Sequence, residues 1–225
     1  MSKPWKKILL IISALFLIIF SILFFSFLNY RKQFKENPLL LQTLETDKDK
    51  KEIDFKLIEG ENAYWFGSAH PKLTIVEFGD FSCPSCKNSF STLREISLKY
   101  KDKVKIIFRD FPVISEDSMQ LALSARCAGE QGLFWPMYDK LYLNQGISTN
   151  KELQNIMNQI GGNPDKFIKC LNSQKYLKDI QKDISDAVKL KLKGTPGWFF
   201  NGNNINGDIP RNIFIDLVEK ILSNN

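Results

Sequence analysis

The longest apolar run of the chain lies near its N-terminal end. Residues 8–28 carry no charged side chain, and only three serines interrupt the apolar positions. A helix needs about 20 such residues to cross the hydrocarbon core of a bilayer. The alternative is a signal peptide, which has a shorter apolar region followed by small residues at a cleavage site. Because the run ends in Phe27-Leu28-Asn29-Tyr30, the pattern favours an uncleaved transmembrane anchor at 8–28, preceded by a cytoplasmic segment at 1–7.

A charged stretch follows the apolar run. Residues 29–60 mix Lys, Asp and Glu, with Asp47-Lys48-Asp49-Lys50-Lys51-Glu52 at the centre. This composition is typical of a solvated, partly helical stalk that lifts a domain off the bilayer. We therefore predict a stalk or linker at 29–60 and a folded domain at 61–225, with the first folded residues near residue 53.

Apolar spacing beyond the linker predicts a strand, a helix and a second strand. Leu73–Phe78 is a short apolar run rich in β-favouring residues, which indicates a buried strand. A helix follows that ends near Tyr100, and Val104–Phe108 forms the next strand. Such a strand–helix–strand unit has a right-handed crossover. The residues expected on the core face of the helix are Phe90, Leu93, Ile96 and Leu98.

The following segments have a helical pattern. Thr149-Asn150-Lys151-Glu152 is a capping box, and Asn163-Pro164 places a cap and a helix-start proline before Phe167–Leu171. The other predicted helical segments are Leu121–Cys127, Phe134–Leu143, and a stripe made of Tyr176, Ile180, Ile184, Ala187 and Val188. We interpret these apolar stripes as core.

The strand pattern returns near the end of the chain. Gly197–Phe200 predicts a strand, and Asn201-Gly202-Asn203-Asn204 has the composition of a hairpin before Ile205. A last helix covers Arg211 to Leu222. Strands separated by a helical block predict an α/β domain with a helical insertion at about residues 115–193.

Cys83-Pro84-Ser85-Cys86 directly follows the first predicted strand. A structural zinc site needs four ligands, but the chain has one histidine, His70, and no second pair of this spacing. We therefore predict neither a metal nor a cofactor. A structural disulfide across two residues would stabilise little. Reversible thiol–disulfide chemistry explains both the pair and its position.

The position of Cys83 at a helix N-terminus favours its thiolate. Unpaired backbone N–H groups and the helix dipole stabilise an anion there, and the thiolate is the form that attacks disulfides. Pro84 loses no hydrogen bond at the first helical position. We predict Cys83 as the nucleophile and Cys86, one turn inward, as the resolving thiol, with a mixed disulfide between the two steps.

Two further cysteines and two acidic residues are candidates for a structural or chemical role. Bonding between Cys83 and Cys86 leaves Cys127 and Cys170 for a structural disulfide, and the alternative is two free buried thiols. Glu77 lies in an apolar strand, either as an edge acid that points to water or as a proton acceptor near Cys86 with a raised pKa. Asp80 is interpreted as a turn residue near the surface.

Four stretches of the sequence resemble the DsbA-like thiol-disulfide oxidoreductases. They run from Val76 to Cys86, from Arg126 to Trp135, from Phe167 to Leu171, and from Gly194 to Gly202. The resemblance covers the chain from about residue 64 to its end, with the four stretches in the family's order.

The resemblance implies a thioredoxin fold with an inserted helical domain. It also implies that Pro196 is cis and faces the Cys83–Cys86 pair, with Thr195 exposing backbone to an extended substrate. Glu77 falls at the family's buried acid. The strongest oxidants of the family carry Pro-His between the cysteines, so Ser85 predicts a less oxidising pair.

The favoured hypothesis is a membrane-anchored, extracytoplasmic dithiol oxidase that introduces disulfides into reduced secreted proteins. Lysines on both sides of the apolar run leave the orientation balanced, so the outward assignment rests on four cysteines that suit an oxidising compartment. A membrane or soluble redox partner would recycle the enzyme. Two alternatives stay open: a reductase or isomerase on the same fold, and a chaperone without turnover.

The net charge of +6 forms no basic block after residue 60, which argues against nucleic-acid binding.

Overall fold

A computed structural model of the chain describes residues 19–21, 24–25 and 54–224. Residues 19–21 and 24–25 are helical and exposed. The predicted segments 1–7 and 29–53 lie outside the described residues, as does most of the predicted span at 8–28. In the part of the chain that is described, no helix has the length and apolar character that crossing a membrane requires.

Residues 54–224 form an α/β domain. The elements in chain order are α1 (Phe55–Glu59), β1 (Tyr64–Gly67), β2 (Leu73–Gly79), α2 (Pro84–Lys99), β3 (Val104–Asp110), α3 (Ser118–Gly129), α4 (Phe134–Leu143), α5 (Asn150–Gln159), α6 (Pro164–Ser173), α7 (Leu177–Lys189), β4 (Gly197–Phe200), β5 (Asn203–Asn206) and α8 (Arg211–Ser223).

The five strands form one sheet in the order β1-β3-β2-β4-β5. Strands β2 and β3 are parallel, with Glu77 opposite Phe108, and the other neighbours are antiparallel. Both central strands are buried over nearly their whole length, as expected for parallel strands that are covered on both faces. The predicted strand–helix–strand unit is therefore confirmed.

Helices cover both faces of the sheet. On one face, α7 packs on β3, and Ala187 and Leu192 join Val76 and Phe78 in a hydrophobic cluster. On the other face, α8 contacts β2 and α2, and Phe214 packs edge-on against Trp198 and Phe200. The chain leaves the carboxyl end of β2 and enters the segment that contains Cys83 and Cys86. This segment therefore lies at the edge of the sheet where the parallel strands β2 and β3 end.

The helices α3 to α7 form the insertion between β3 and β4. Two of its predicted starts are confirmed: Thr149 and Glu152 make a complete capping box, and the Asn163 side chain caps α6 with Pro164 in the first turn. Cys127 in α3 is disulfide-bonded to Cys170 in α6. Cys127 and Cys170 are the two cysteines that remained for a structural disulfide once Cys83 was paired with Cys86 in the sequence analysis.

A buried ion cluster joins the insertion to the sheet. Arg109 in β3 pairs with Asp183 and Asp186 of α7, and Arg126 of α3 pairs with Asp110 and Asp183. All five side chains are at most 8 % exposed. Arg109 also donates to the backbone carbonyl groups of α1 at residues 57 and 58, so α1 is held against the domain.

Two parts of the sequence prediction for the ends of the domain need correction. The stalk predicted at 29–60 ends earlier, because Phe55–Glu59 is a helix with Ile58 in the core. Strand β1 was not predicted, since it is a short edge strand of alternating burial whose partner β3 lies far along the chain.

Two predicted core residues are exposed. Leu98 is 78 % exposed, because it is two positions from Ile96 and therefore lies about 200° away around the helix. Val188 is 62 % exposed. The inward face of α7 carries the predicted core residues Ile180 and Ala187 together with Asp183 and Asp186, which belong to the ion cluster.

Candidate active site

The segment after β2 places Cys83 at the N-cap of α2. The backbone N–H of Cys83 donates to the Asp80 carbonyl oxygen at 3.0 Å, and its sulfur accepts from the backbone N–H of Cys86 at 3.4 Å. Pro84 occupies the first turn of the helix, where a missing N–H costs nothing. Cys83 is 3 % exposed and Cys86 is fully buried, and both are free thiols.

The loop before β4 faces Cys83. The Thr195–Pro196 peptide bond is cis, and the Cys83 thiol donates to the Thr195 carbonyl oxygen at 3.3 Å. The predicted nucleophile and the predicted substrate-binding residues are therefore adjacent, although they are more than a hundred positions apart in the sequence.

The two thiols have opposite electrostatic surroundings. A hydrogen bond from the Cys86 thiol lowers the pKa of Cys83 to about 6, helped by Thr195 and by backbone N–H groups and opposed by burial. Burial raises the pKa of Cys86 far above its usual range, and the nearby Glu77 charge adds to this effect. At neutral pH one sulfur is therefore a thiolate and the other remains a thiol.

Glu77 lies beneath the pair as a buried acid. It is 1 % exposed, and its Oε2 accepts a hydrogen bond from the Tyr138 hydroxyl at 2.9 Å. Burial raises the pKa of Glu77 to about 8, with Tyr138 opposing the shift and the Cys83 charge adding to it. The alternative of an edge acid that points to water is wrong. A group with this pKa can hold a proton at neutral pH and release it in slightly alkaline solution.

Three functional contacts were not predicted from the sequence. Tyr138 and the fully buried Tyr142 come from α4, and their hydroxyl groups lie near Glu77 only because the insertion folds over the sheet. The Gln145 side chain donates to the backbone carbonyl groups of Phe81 and Cys83 at 2.9 and 2.8 Å. Tyr138 and Tyr142 are four positions apart and therefore share one face of α4. This spacing is the feature of the sequence that could have indicated that both hydroxyl groups point to the same place.

Asp80 is a further correction. The sequence suggested a turn residue near the surface, but Asp80 is 1 % exposed and its carboxylate accepts three backbone hydrogen bonds.

Among the described residues, no group of three or more His, Cys, Asp or Glu side chains is arranged to hold a metal ion.

Known proteins resemble this chain in sequence and in fold. A family model described as thioredoxin matches residues 59–220. A relative from Bacillus anthracis named "Probable disulfide bond formation protein D" is 31 % identical over 172 residues, covering 71 % of this chain and 79 % of the relative. The chain belongs to the DsbA-like thiol-disulfide oxidoreductase family.

Solved structures agree with the fold of this DsbA-like protein. Oxidised BdbD from Bacillus subtilis has a TM-score of 0.64 at 23 % identity, covering 71 % of this chain and 92 % of that one. The thiol-disulfide exchange protein alpha-DsbA2 from Wolbachia pipientis has a TM-score of 0.67 at 21 % identity, covering 74 % and 90 %. The expected thioredoxin fold and family are therefore confirmed.

Proposed function

We propose that this DsbA-like protein is a membrane-anchored dithiol oxidase that introduces disulfides into reduced extracytoplasmic proteins. The observation that carries the proposal is the asymmetry between the two thiols: the pKa of Cys83 is lowered to about 6, whereas burial keeps Cys86 protonated. Stabilising the Cys83 thiolate stabilises the reduced enzyme, and an enzyme with a stable reduced form is a strong oxidant.

The first step is attack by a substrate thiolate on the Cys83 sulfur of the oxidised enzyme. The Cys83–Cys86 bond breaks, a mixed disulfide forms between substrate and Cys83, and the electron pair leaves on Cys86. Because a buried Cys86 thiolate is unfavourable, it takes a proton. Glu77 is the acid proposed for this role, since its raised pKa keeps the carboxyl protonated at neutral pH.

The second step releases the product. A second thiolate of the substrate attacks the substrate sulfur of the mixed disulfide and expels Cys83 as a thiolate. A sulfur of low pKa is a good leaving group, so the pKa of Cys83 favours this direction. The substrate loses two electrons and two protons, and a membrane or soluble redox partner must withdraw the electrons from Cys83 and Cys86.

Thr195 and Pro196 are proposed to position the substrate. In a cis-proline loop the backbone before the proline is open to an extended chain, which can pair with it as an added strand. The Thr195 carbonyl oxygen lies 3.3 Å from the Cys83 sulfur. A substrate strand held by this loop would therefore present its cysteine to the reacting atom.

The decisive experiment is the equilibrium of the Cys83–Cys86 pair with glutathione. We expect a reduction potential well above the thioredoxin value of about −270 mV, together with an ultraviolet thiolate titration near the pKa of about 6 given for Cys83. Cys83→Ala provides the control, because a titration that belongs to Cys83 should disappear in that variant. A potential close to that of thioredoxin would instead support the reductase or isomerase alternative.

The anchor is proposed from residues 8–28, and the outward orientation from the oxidising chemistry of the domain. Protease treatment of spheroplasts tests the orientation: we expect the catalytic domain to be digested. A domain that stays protected would reverse the assignment.

A further inference from the structure

The Cys127–Cys170 disulfide packs into the core on one side and lines a surface groove on the other. Both half-cystines belong to one hydrophobic cluster with residues of α3 and α6. Both also line a groove of about 550 Å³, which we call the disulfide groove. Cys170 is the more exposed of the two, at 6 % against 1 % for Cys127. A small molecule in this groove would therefore meet the bridge while the core stays closed.

The walls of the disulfide groove carry an excess of positive charge. Three lysines line the groove with a single acid, Glu130. Lys175 pairs with Glu130 at 2.8 Å, so these two charges compensate each other. The other two lysines, Lys166 and Lys169, make no ion pair with any residue in the described part of the chain. Two ammonium groups therefore remain in the groove to attract an anion.

The spacing along α6 places these two lysines beside the bridge. Lys166 is four residues before Cys170 and therefore shares its face of the helix, and Lys169 directly precedes Cys170. An electropositive and partly open setting is typical of reactive sulfur atoms, because nearby cations attract a thiolate and stabilise the sulfur anion formed in an exchange. A bridge with a structural role alone requires neither the groove nor the cations.

We propose that the disulfide groove is a second thiol-exchange site, at which a small thiol that carries carboxylates opens the Cys127–Cys170 bridge. The carboxylates of this acidic thiol would lie against Lys166 and Lys169 while its sulfur reacts. The volume of the groove falls within the range of about 300–1,000 Å³ that small-molecule sites occupy. The inference goes beyond the proposed oxidase function, because it uses no residue of the candidate active site.

The exchange step conserves atoms and electrons. The thiolate of the acidic thiol attacks the Cys170 sulfur, the more exposed of the two. A new S–S bond forms to Cys170, the bond between Cys170 and Cys127 breaks, and the electron pair leaves on Cys127. Cys127 then takes up, through solvent, the proton that the acidic thiol lost on ionising. One thiol and one disulfide are present before and after the step, so no external oxidant or reductant is needed.

The experiment measures opening of the bridge in the full chain with the substitutions Cys83→Ala and Cys86→Ala, so that only one disulfide can react. We call this variant the bridge-only protein. The probes are three thiols of different charge: mercaptosuccinate is anionic, 2-mercaptoethanol is neutral and cysteamine is cationic. Each rate is divided by the rate of the same thiol with a neutral small-molecule disulfide, which removes intrinsic differences in thiol reactivity.

We expect the bridge-only protein to react about tenfold faster with mercaptosuccinate than with 2-mercaptoethanol at low ionic strength, as two pairs of exposed charges allow. Cysteamine should react most slowly, and added salt should reduce the differences. Mass spectrometry of the digested protein should find the mixed disulfide on Cys170.

Adding Lys166→Gln/Lys169→Gln to the bridge-only protein should abolish the preference for mercaptosuccinate and leave the rate with 2-mercaptoethanol unchanged. Both positions are exposed, so these substitutions should leave the fold intact. Lys151→Gln/Lys189→Gln is the matched control, because it removes the same charge from exposed positions of α5 and α7 that do not line the groove. This control should keep the preference.

Three results would overturn the proposal. One is a set of normalised rates that does not depend on the charge of the thiol, or that depends on it equally in the Lys166→Gln/Lys169→Gln protein. Another is a bridge that none of the three thiols opens. The third is a rate that does not rise with thiol concentration, because the domain would then have to unfold before the bridge reacts. Since the bridge-only protein lacks the catalytic pair, none of these results bears on the proposed function.

Discussion

At the scale of single residues, burial and hydrogen bonds together set the protonation states of the site. Cys83 and Glu77 are three-dimensional neighbours whose pKa values are displaced in opposite senses: hydrogen bonds lower that of the thiol, and burial raises that of the acid. Each shift supports the other in the proposed reaction. The thiolate is ready to be expelled, and the acid still holds the proton that Cys86 must take.

The raised pKa of Glu77 predicts a pH-dependent stability. Folding favours the protonated acid, so its contribution is complete below the ordinary pKa of 4.5 and is lost as the pH rises through about 8. Glu77→Gln has no proton to lose. We expect the stability of Glu77→Gln relative to wild type to increase through this window, by up to about 1.4 kcal/mol per pH unit.

Denaturant unfolding of the two reduced proteins at several pH values measures this difference. The lowered pKa of Cys83 contributes in the opposite sense, because its stabilising effect is lost as the pH falls through about 6. Both proteins keep Cys83, so that contribution largely cancels. A stability difference that does not change with pH would show that folding does not raise the pKa of Glu77.

At the scale of helices and strands, the ion cluster determines how the insertion meets the sheet. Arg126 of α3 is 2 % exposed and pairs with Asp110 of β3 and Asp183 of α7. Removing one partner of a buried pair leaves uncompensated charge and costs about 3–5 kcal/mol. We therefore expect Arg126→Met to lower the free energy of unfolding by an amount in this range.

Arg211→Met is the matched control for this prediction. Arg211 also pairs with a carboxylate, Glu95, but the two side chains are 63 % and 41 % exposed. Exposed pairs contribute about 0–1 kcal/mol, so equilibrium unfolding should separate the two variants clearly. Equal effects would mean that the buried cluster contributes no more than a surface pair.

The same elements explain which features the sequence could predict. Helix starts at Thr149 and Asn163 depend on residues within one turn, so local patterns were sufficient. The burial of Glu77 and the bond from Tyr138 depend on packing between segments 61 residues apart. Asp183 has the charge of a surface residue, and only its partners in β3 and α3 explain why it is buried. The apolar spacing of α7 therefore predicted the buried residues Ile180 and Ala187, but it could not reveal the two aspartates that are buried beside them.

At the scale of the whole domain, the site lies where the sheet meets the inserted helices. Cys83, Cys86 and Phe81 share one hydrophobic cluster with residues of α3 and α4. Gln145, which follows α4, bonds to the carbonyl oxygen of Cys83. The insertion therefore forms part of the candidate active site as well as stabilising the fold. The predicted boundaries of the insertion, at about residues 115–193, could not reveal this contact.

The Cys127–Cys170 disulfide predicts a division between stability and redox chemistry. It links α3 to α6 across a sequence separation of 43 residues, and closing a loop of this size stabilises a domain by roughly 2–4 kcal/mol. We expect the double variant Cys127→Ala/Cys170→Ala to lose about that much unfolding free energy. Its Cys83 titration should stay near the wild-type value, because the groups that lower that pKa are Cys86, Thr195 and nearby backbone N–H groups.

Equilibrium unfolding and ultraviolet titration of the reduced Cys83–Cys86 pair measure the two quantities in the same variant. The substitutions are needed because opening the bridge with a reductant would add the Cys127 and Cys170 thiols to the ultraviolet signal. A titration that moves with the loss of stability would mean that the bridge holds the insertion in the position that Cys83 requires. Since Gln145 and Tyr138 reach the site from that insertion, an unchanged titration would show that the ion cluster and the helix packing are sufficient to hold it there.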